Sequence, residues 1–296
     1  MRVAKTVLRR LSISHILQLI IFGRMNMTEN EYIVKEQFTI HSKSLKREVA
    51  IEMFLPKTIT EPNQLSLLLI NDGQDMPLLH FDGILHRLYR ENAISPLCCA
   101  AIACGNERMM EYGVAGKKDY LGRGAKAKQY TSFILKELLP CIKKRYKVPR
   151  FRNTSFAGFS LGGLSALDIV WNHPGIFTKV GVFSGSLWWR SKDQLDRKYD
   201  DDKHRIMQQV IRKGKFAPGL EFFFQTGKLD ETADRNNNGI IDAIEDTLDH
   251  IHELIQKGYA PHDIAYLELE DGRHDVPTWG RAMPVFLKWG WGKEKY

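Results

Sequence analysis

Residues 65–70 read Leu-Ser-Leu-Leu-Leu-Ile without a charge, and the run stops at Asn71-Asp72-Gly73-Gln74. A strand with one wet face alternates apolar and polar residues, so a continuous run describes a strand covered on both sides. The signal returns at Leu97-Cys98-Cys99-Ala100-Ala101-Ile102-Ala103-Cys104, and shorter strands fit 154–157, 180–183, 220–226 and 264–269. Helical spacing fits the intervening residues 81–91, 125–146 (interrupted by Pro140), 161–172 and 242–257, and a last helix runs to Trp289. Ahead of these, residues 31–40 and 46–55 alternate, as in Val49, Ile51, Met53 and Leu55, around a Ser42-Lys43-Ser44 turn. That is an antiparallel pair with one solvated face. The expectation is an α/β protein: a doubly wound, mostly parallel sheet with antiparallel N-terminal strands, and ligands at the carboxyl ends of the strands.

At 296 residues, with no Pro/Gly/Ser-rich linker, internal repeat or low-complexity segment, the chain reads as one domain over 27–296. The net charge of +8 does not indicate a nucleic-acid partner. Residues 1–26 hold Arg2, Lys5, Arg9, Arg10 and Arg24 and no acid, which leaves the remainder at only +3 with both signs interspersed. The four cysteines have no metal-site or disulfide-framework spacing; Cys98 and Cys99, being neighbours, point to opposite faces of a strand. They read as small core residues in a reducing compartment. Residues 16–22, Ile-Leu-Gln-Leu-Ile-Ile-Phe, follow the arginines as in a signal peptide. The run is short, however, His15 and Gln18 interrupt it, and no small-x-small cleavage site follows. It is too short to span a bilayer. Residues 1–26 are therefore read as an extension outside the fold of a cytoplasmic protein, export being the alternative.

Gly158-Phe159-Ser160-Leu161-Gly162, followed by Gly163, falls where a buried strand hands over to a helix. This G-x-S-x-G pattern places a serine on a sharp, strained turn. A serine hydroxyl is a poor nucleophile at neutral pH and needs a base, a group to orient it, and donors for the developing oxyanion. His274, in Glu270-Asp271-Gly272-Arg273-His274-Asp275 just past the last strand, is the candidate base. His173, before Pro174 at a helix end, reads as a local cap, and His250 and His252 as helix-surface residues. The orienting acid is expected after an intervening strand, which points to Asp230, with Glu231 as competitor. The backbone N–H of Leu161 and one from Gly73 or Gln74 are the candidate oxyanion donors. Trp188 and Trp189, in Ser184-Gly185-Ser186-Leu187-Trp188-Trp189, are candidates for the substrate pocket, as is the loop 106–124.

Residues 234–245, Asp-Arg-Asn-Asn-Asn-Gly-Ile-Ile-Asp-Ala-Ile-Glu, fit a twelve-residue EF-hand calcium loop. Side-chain oxygens of Asp234, Asn236 and Asn238 fall at positions 1, 3 and 5. Gly239 permits the turn at position 6, Ile240 offers its carbonyl at 7, Asp242 falls at 9 and Glu245 closes the site at 12. No helical pattern precedes the loop, so the reading is a single structural Ca²⁺ site beside Asp230. No organic cofactor is implied.

The segments Asn71-Asp72-Gly73-Gln74-Asp75, Ala157-Gly158-Phe159-Ser160-Leu161-Gly162-Gly163, Ser184-Gly185-Ser186-Leu187-Trp188-Trp189 and Gly272-Arg273-His274-Asp275 together resemble the esterase family of α/β-hydrolases. That family includes enterochelin (siderophore) esterases, feruloyl and acetylxylan esterases and S-formylglutathione hydrolase. The resemblance extends from about Glu31 to the C-terminus, and its Ser-Leu-Trp-Trp ending is closest to the siderophore branch. It implies an α/β-hydrolase fold and hydrolysis of a small-molecule ester by a Ser-Asp/Glu-His triad, matched here by Ser160, Asp230 and His274. An acyltransferase on the same triad is one alternative. A non-catalytic carbohydrate-binding or scaffold protein is another, but it predicts a lost triad position, and none is missing. The pattern says nothing of oligomeric state.

Overall fold

The computed structural model describes residues 32–59 and 64–293. The segment 1–26 read above as an extension lies outside them. The strands are β1 (Ile33–Ser42), β2 (Arg47–Pro56), β3 (Ser66–Asn71), β4 (Leu97–Ile102), β5 (Thr154–Phe159), β6 (Lys179–Phe183), β7 (Glu221–Leu229) and β8 (Ile264–Arg273). They form one sheet in the order β1-β2-β4-β3-β5-β6-β7-β8. The first two pairings, β1 with β2 and β2 with β4, are antiparallel, and every later one is parallel. The fold is that of an α/β-hydrolase, as the apolar pattern and the resemblance led us to expect.

The continuous runs are buried on both faces for the expected reason. Leu67, Leu69, Cys98 and Ala100 join one core, while Leu68, Ile70, Cys99 and Ala101 join the other. On the first face lie α2 (Ala127–Phe133), α3 (Leu139–Tyr146), α4 (Leu161–Asn172), α5 (Ile206–Lys213) and α6 (Asp242–Lys257), through residues such as Phe133, Ile142, Leu164, Ile211 and Leu254. The second face is covered by α1 (Phe81–Arg90) and α7 (Val276–Trp291), through Phe81, Leu85, Met283 and Phe286. Pro140 does not end its helix. A π-turn at Ile134–Leu138 joins α2 to α3, so Pro140 falls in the first turn of α3, where a missing N–H costs little.

His173 caps α4, its Nδ1 2.8 Å from the Ile169 carbonyl. His250 departs from its expected place on the helix surface. It is wholly buried on α6, its Nδ1 2.6 Å from the Asp246 carbonyl, and burial lowers its pKa to about 4. Among the described residues no helix is long and apolar enough to cross a membrane.

The carboxyl ends of β7 and β8 come unusually close. A Cβ built on Gly227 would lie 2.4 Å from the Gly272 carbonyl, and the ladder shifts register between Gly227 and Leu229. Asp230 and His274 emerge just beyond this contact. Gly227→Ala should force the two backbones apart and cost about 1–3 kcal/mol, read as a lowered urea midpoint. An unchanged midpoint would mean that the contact is not tight.

Candidate active site

Ser160 joins β5 to α4 with φ 52° and ψ −121°, a conformation that strains a residue bearing a Cβ. The turn closes because its flanks are glycine. A Cβ on Gly158 would fall 2.3 Å from the Gly162 carbonyl oxygen, and one on Gly162 would fall 2.6 Å from Asp72 Oδ2. The Ser160 N–H donates to the Phe183 carbonyl at 2.8 Å, and its own carbonyl accepts from Gly163 at 3.0 Å and Ser186 at 3.1 Å. The backbone therefore fixes the half-buried hydroxyl at the start of a twelve-residue helix, whose first N–H groups have no partner within the helix. Leu161 supplies the first of these. Ser160 Oγ lies 3.3 Å from Ser186 Oγ. Sequence reasoning did not single out Ser186, although it sits inside the Ser-Gly-Ser motif.

The loop after β3 is pinned against this turn. Asn71 Nδ2 donates to the Gly162 carbonyl at 2.7 Å, and the Tyr130 hydroxyl donates to Asn71 Oδ1. Asp72, in the left-handed region at φ 59°, accepts two bonds of 2.7 Å from Nε and Nη2 of Arg108. Gly73 opens a single 3-10 turn so close to β4 that a Cβ would lie 2.6 Å from the Ala101 backbone. Gln74 Oε1 accepts from the Cys104 N–H at 3.1 Å. Gly73 is thus held by its close approach to β4, and Gln74 by its side-chain bond to Cys104.

Asp230 follows β7. Its Oδ2 accepts from the Gly227 N–H at 3.0 Å, while Oδ1 is buried without a hydrogen-bond partner among the described residues. Burial raises its pKa, opposed by the Gly227 N–H, the Ser184 hydroxyl and the charge of His274. Burial also raises the Glu231 pKa, opposed by the Ala243 N–H at the start of α6. His274 is held by its neighbours. The Arg273 N–H donates to Thr278 Oγ1 at 3.0 Å, and the Asp275 carboxylate caps α7 by accepting the Thr278 N–H at 2.9 Å. The imidazole pKa lies below 6.5, mainly through partial desolvation; Asp230 opposes the shift and Arg108 adds to it. Both partners thus sense each other's charge.

Of the two tryptophans expected to line a pocket, Trp189 does not. It has no exposed surface and packs where a Cβ on Gly113 or Gly124 would meet its ring at 3.0 and 2.9 Å, beneath the loop 112–124. Trp188 is half-buried, with the Arg123 and Arg190 guanidinium carbons 5.1 and 5.7 Å from its ring centre.

The loop 234–245 folds on itself. The Asp234 carboxylate accepts the N–H groups of Asn238 (3.2 Å) and Gly239 (2.9 Å), and the side-chain amides of Asn236 and Asn238 both donate to Glu245. Asn237 and Gly239 take the positive φ values, 55° and 84°, that such a turn needs. Asp242 is instead engaged by Arg235, whose N–H donates to it at 2.8 Å. Among the described residues no three His, Cys, Asp or Glu side chains gather into a metal-binding group. A cation here therefore needs the amide oxygens and the Ile240 carbonyl.

Strand order and the strained serine turn, with Asp230 and His274 at successive strand ends, define the class: an α/β-hydrolase with Ser160 on the strand-turn-helix elbow. The family model described as "Putative esterase" matches residues 42–289, and the chain belongs to that esterase family. It is 32% identical over 174 residues to the uncharacterized protein YbbA of Bacillus subtilis, covering 58% of this chain and 63% of that one. The enterobactin esterase FES of Shigella flexneri superposes with a TM-score of 0.64 at 19% identity, over 86% of this chain and 58% of that chain. A ferulic acid esterase gives 0.63 at 18%, over 87% and 97%, and the BES protein of Bacillus cereus 0.61 at 19%, over 90% and 97%. The chain thus spans less than two thirds of the length of YbbA and of FES.

His274 should titrate below 6.5 by NMR, because its neutral form is favoured. Arg108→Gln removes a cation and leaves Asp72 unpaired, and both changes favour imidazolium, so the midpoint should move upward. A midpoint that stays put or falls would show that Arg108 does not act on this ring.

Proposed function

We propose that this protein is a carboxylic ester hydrolase working through Ser160, His274 and Asp230. The observation that carries the reading is the strained Ser160 at φ 52°, held at a helix N-terminus on the sheet edge where Asp230 and His274 also emerge. His274 accepts the Ser160 hydroxyl proton as Oγ attacks the ester carbonyl. It returns that proton to the departing alcohol, leaving an acyl-enzyme. Water, deprotonated by the same imidazole, then releases the acid and the free serine. In this reading the imidazole N–H on the far side of the ring is given to Asp230 Oδ1, which is buried and has no hydrogen-bond partner among the described residues. The tetrahedral oxyanion is received by the Leu161 N–H and by one N–H of the Gly73-Gln74 turn, each such donor contributing about 3 kcal/mol in the transition state. A depressed imidazole pKa keeps the base neutral below pH 6.5, so activity should fall only on further acidification.

The half-buried Trp188 is assigned to the pocket wall, two residues beyond Ser186. Similar structures include the enterobactin esterase FES in the presence of enterobactin and of 2,3-dihydroxy-N-benzoyl-serine, and a ferulic acid esterase. Aromatic siderophore-type and feruloyl esters are therefore the first substrates to screen. With p-nitrophenyl acetate, Ser160→Ala should lower kcat/KM by about a thousandfold or more. Equal rates in the two proteins would overturn the assignment.

We further propose that the loop 234–245 binds a structural Ca²⁺ through Asp234, Asn236, Asn238, Ile240 and Glu245, with Asp242 close by. The fit rests on side chains at positions 1, 3, 5 and 12 already folded onto one another, with amide groups that can turn an oxygen inward. Bound there, the ion would fix the segment that follows Asp230. Calcium at a hundredfold excess over its Kd should raise the melting temperature by about 5 °C. EDTA should reverse the rise, and Asp234→Ala should abolish it. A melting temperature indifferent to calcium in the unmutated protein would refute the site.

A further inference from the structure

Ser184 and Trp279 bond each other beside His274 and the strand that leads to Asp230. Ser184 follows β6 at φ 44° and is buried, a strained placement for a residue with a Cβ. Its N–H donates to the Gln225 carbonyl on β7 at 2.8 Å, and its Oγ accepts the Trp279 Nε1–H at 3.0 Å. An indole nitrogen only donates, so the serine oxygen is the acceptor in that bond and the serine proton is left for another group. Asp230 follows the strand that the Ser184 N–H bonds, its Oδ1 is buried without a hydrogen-bond partner among the described residues, and the Ser184 hydroxyl opposes the upward push of burial on its carboxyl. The same indole stacks on Phe159, the residue ahead of Ser160, with centres 5.0 Å apart and planes at 21°. It also meets the His274 imidazole at 5.4 Å and 80°. One buried side chain thus touches the nucleophile's strand, the base, and the hydroxyl behind the acid.

We propose that Ser184 and Trp279 are positioning residues of the ester-cleaving site. The indole N–H fixes Ser184 Oγ so that its proton goes to the Asp230 carboxylate, and the indole ring holds the His274 imidazole. Asp230 then receives two donors from its own side, Gly227 N–H and Ser184 Oγ–H, and presents its remaining lone pairs to the imidazole N–H. Neither residue is within the serine turn, the oxyanion loop or the Ser-Asp-His set. The inference rests on the triad reading, and its test separates the two.

The test is a set of cycles among Ser184→Ala, Trp279→Phe and Asp230→Asn, with kcat and KM measured on p-nitrophenyl acetate and folding followed by thermal melting. Trp279→Phe keeps an aromatic ring against Phe159 while removing the donor and part of the ring that meets His274, so it serves if Ser184→Ala folds poorly. Each single change should lower kcat about tenfold with KM within about twofold. The two together should cost no more than either alone, because they break one relay. In the Asp230→Asn background Ser184→Ala should change kcat less than about twofold. The proposal is overturned if Ser184→Ala and Trp279→Phe keep the original kcat, or if the Ser184 effect is undiminished in the Asp230→Asn background. If Asp230→Asn itself keeps full kcat, the triad reading falls first.

Discussion

The carboxyl edge of the sheet depends on one contact: the Gly158 backbone lying against the Gly162 carbonyl, with room for no side chain at either residue. This closeness lets β5 turn into α4 within a single residue and forces Ser160 into its strained conformation. The strain is offset by backbone bonds that converge on Ser160 from β6 and from the Ser184-Gly185-Ser186 segment. It is also offset by Asn71, which ties the end of β3 to the Gly162 carbonyl. A turn held from three strands cannot relax by moving one of them.

Electrostatics around that turn are arranged by pairing rather than exposure. Asp72 is buried, and its two oxygens are satisfied by Arg108, which in turn lies over the Tyr112 ring. Removing one partner of such a pair leaves a charge that the interior does not solvate. The residual positive field of Arg108 reaches His274 and opposes Asp230, so the imidazole stays neutral while still having a carboxylate to lean on. A second charged group sits beneath the loop 234–245. Arg235 and Arg205 both bond Asp246 on α6, anchoring the loop that follows Asp230 to the helix after it.

Much of this was legible in the sequence because burial on both faces leaves an unbroken apolar record. The continuous runs marked the central strands, and α4 and α6 have the bounds their spacing predicts. The ends of β7 and β8 were not visible. They continue to Leu229 and Arg273 through polar and glycine residues, joined by the ladder and by ion pairs of Lys228 with Glu268 and Glu270. Helix α5 was missed because only Ile206, Met207, Val210 and Ile211 are apolar between charged flanks, and Arg205 beside it is buried by ion pairs with Asp246 and Asp249. Trp189 and His250 were misplaced for the same reason, since their burial is decided by partners far away in the chain. Ser160, Asp230 and His274 follow a motif and a chain order, whereas Ser184 and Trp279 depend on a backbone sign and a contact across 95 residues. Neither leaves a local pattern.

The central claim, that Ser160 is the nucleophile, is tested most directly by fluorophosphonate labelling followed by peptide mass spectrometry. The account predicts a single phosphonyl adduct on the peptide carrying Ser160, formed much more slowly in His274→Ala. Adduct on Ser186 instead, whose hydroxyl lies only 3.3 Å away, or no adduct where a control serine hydrolase is fully labelled, would contradict it.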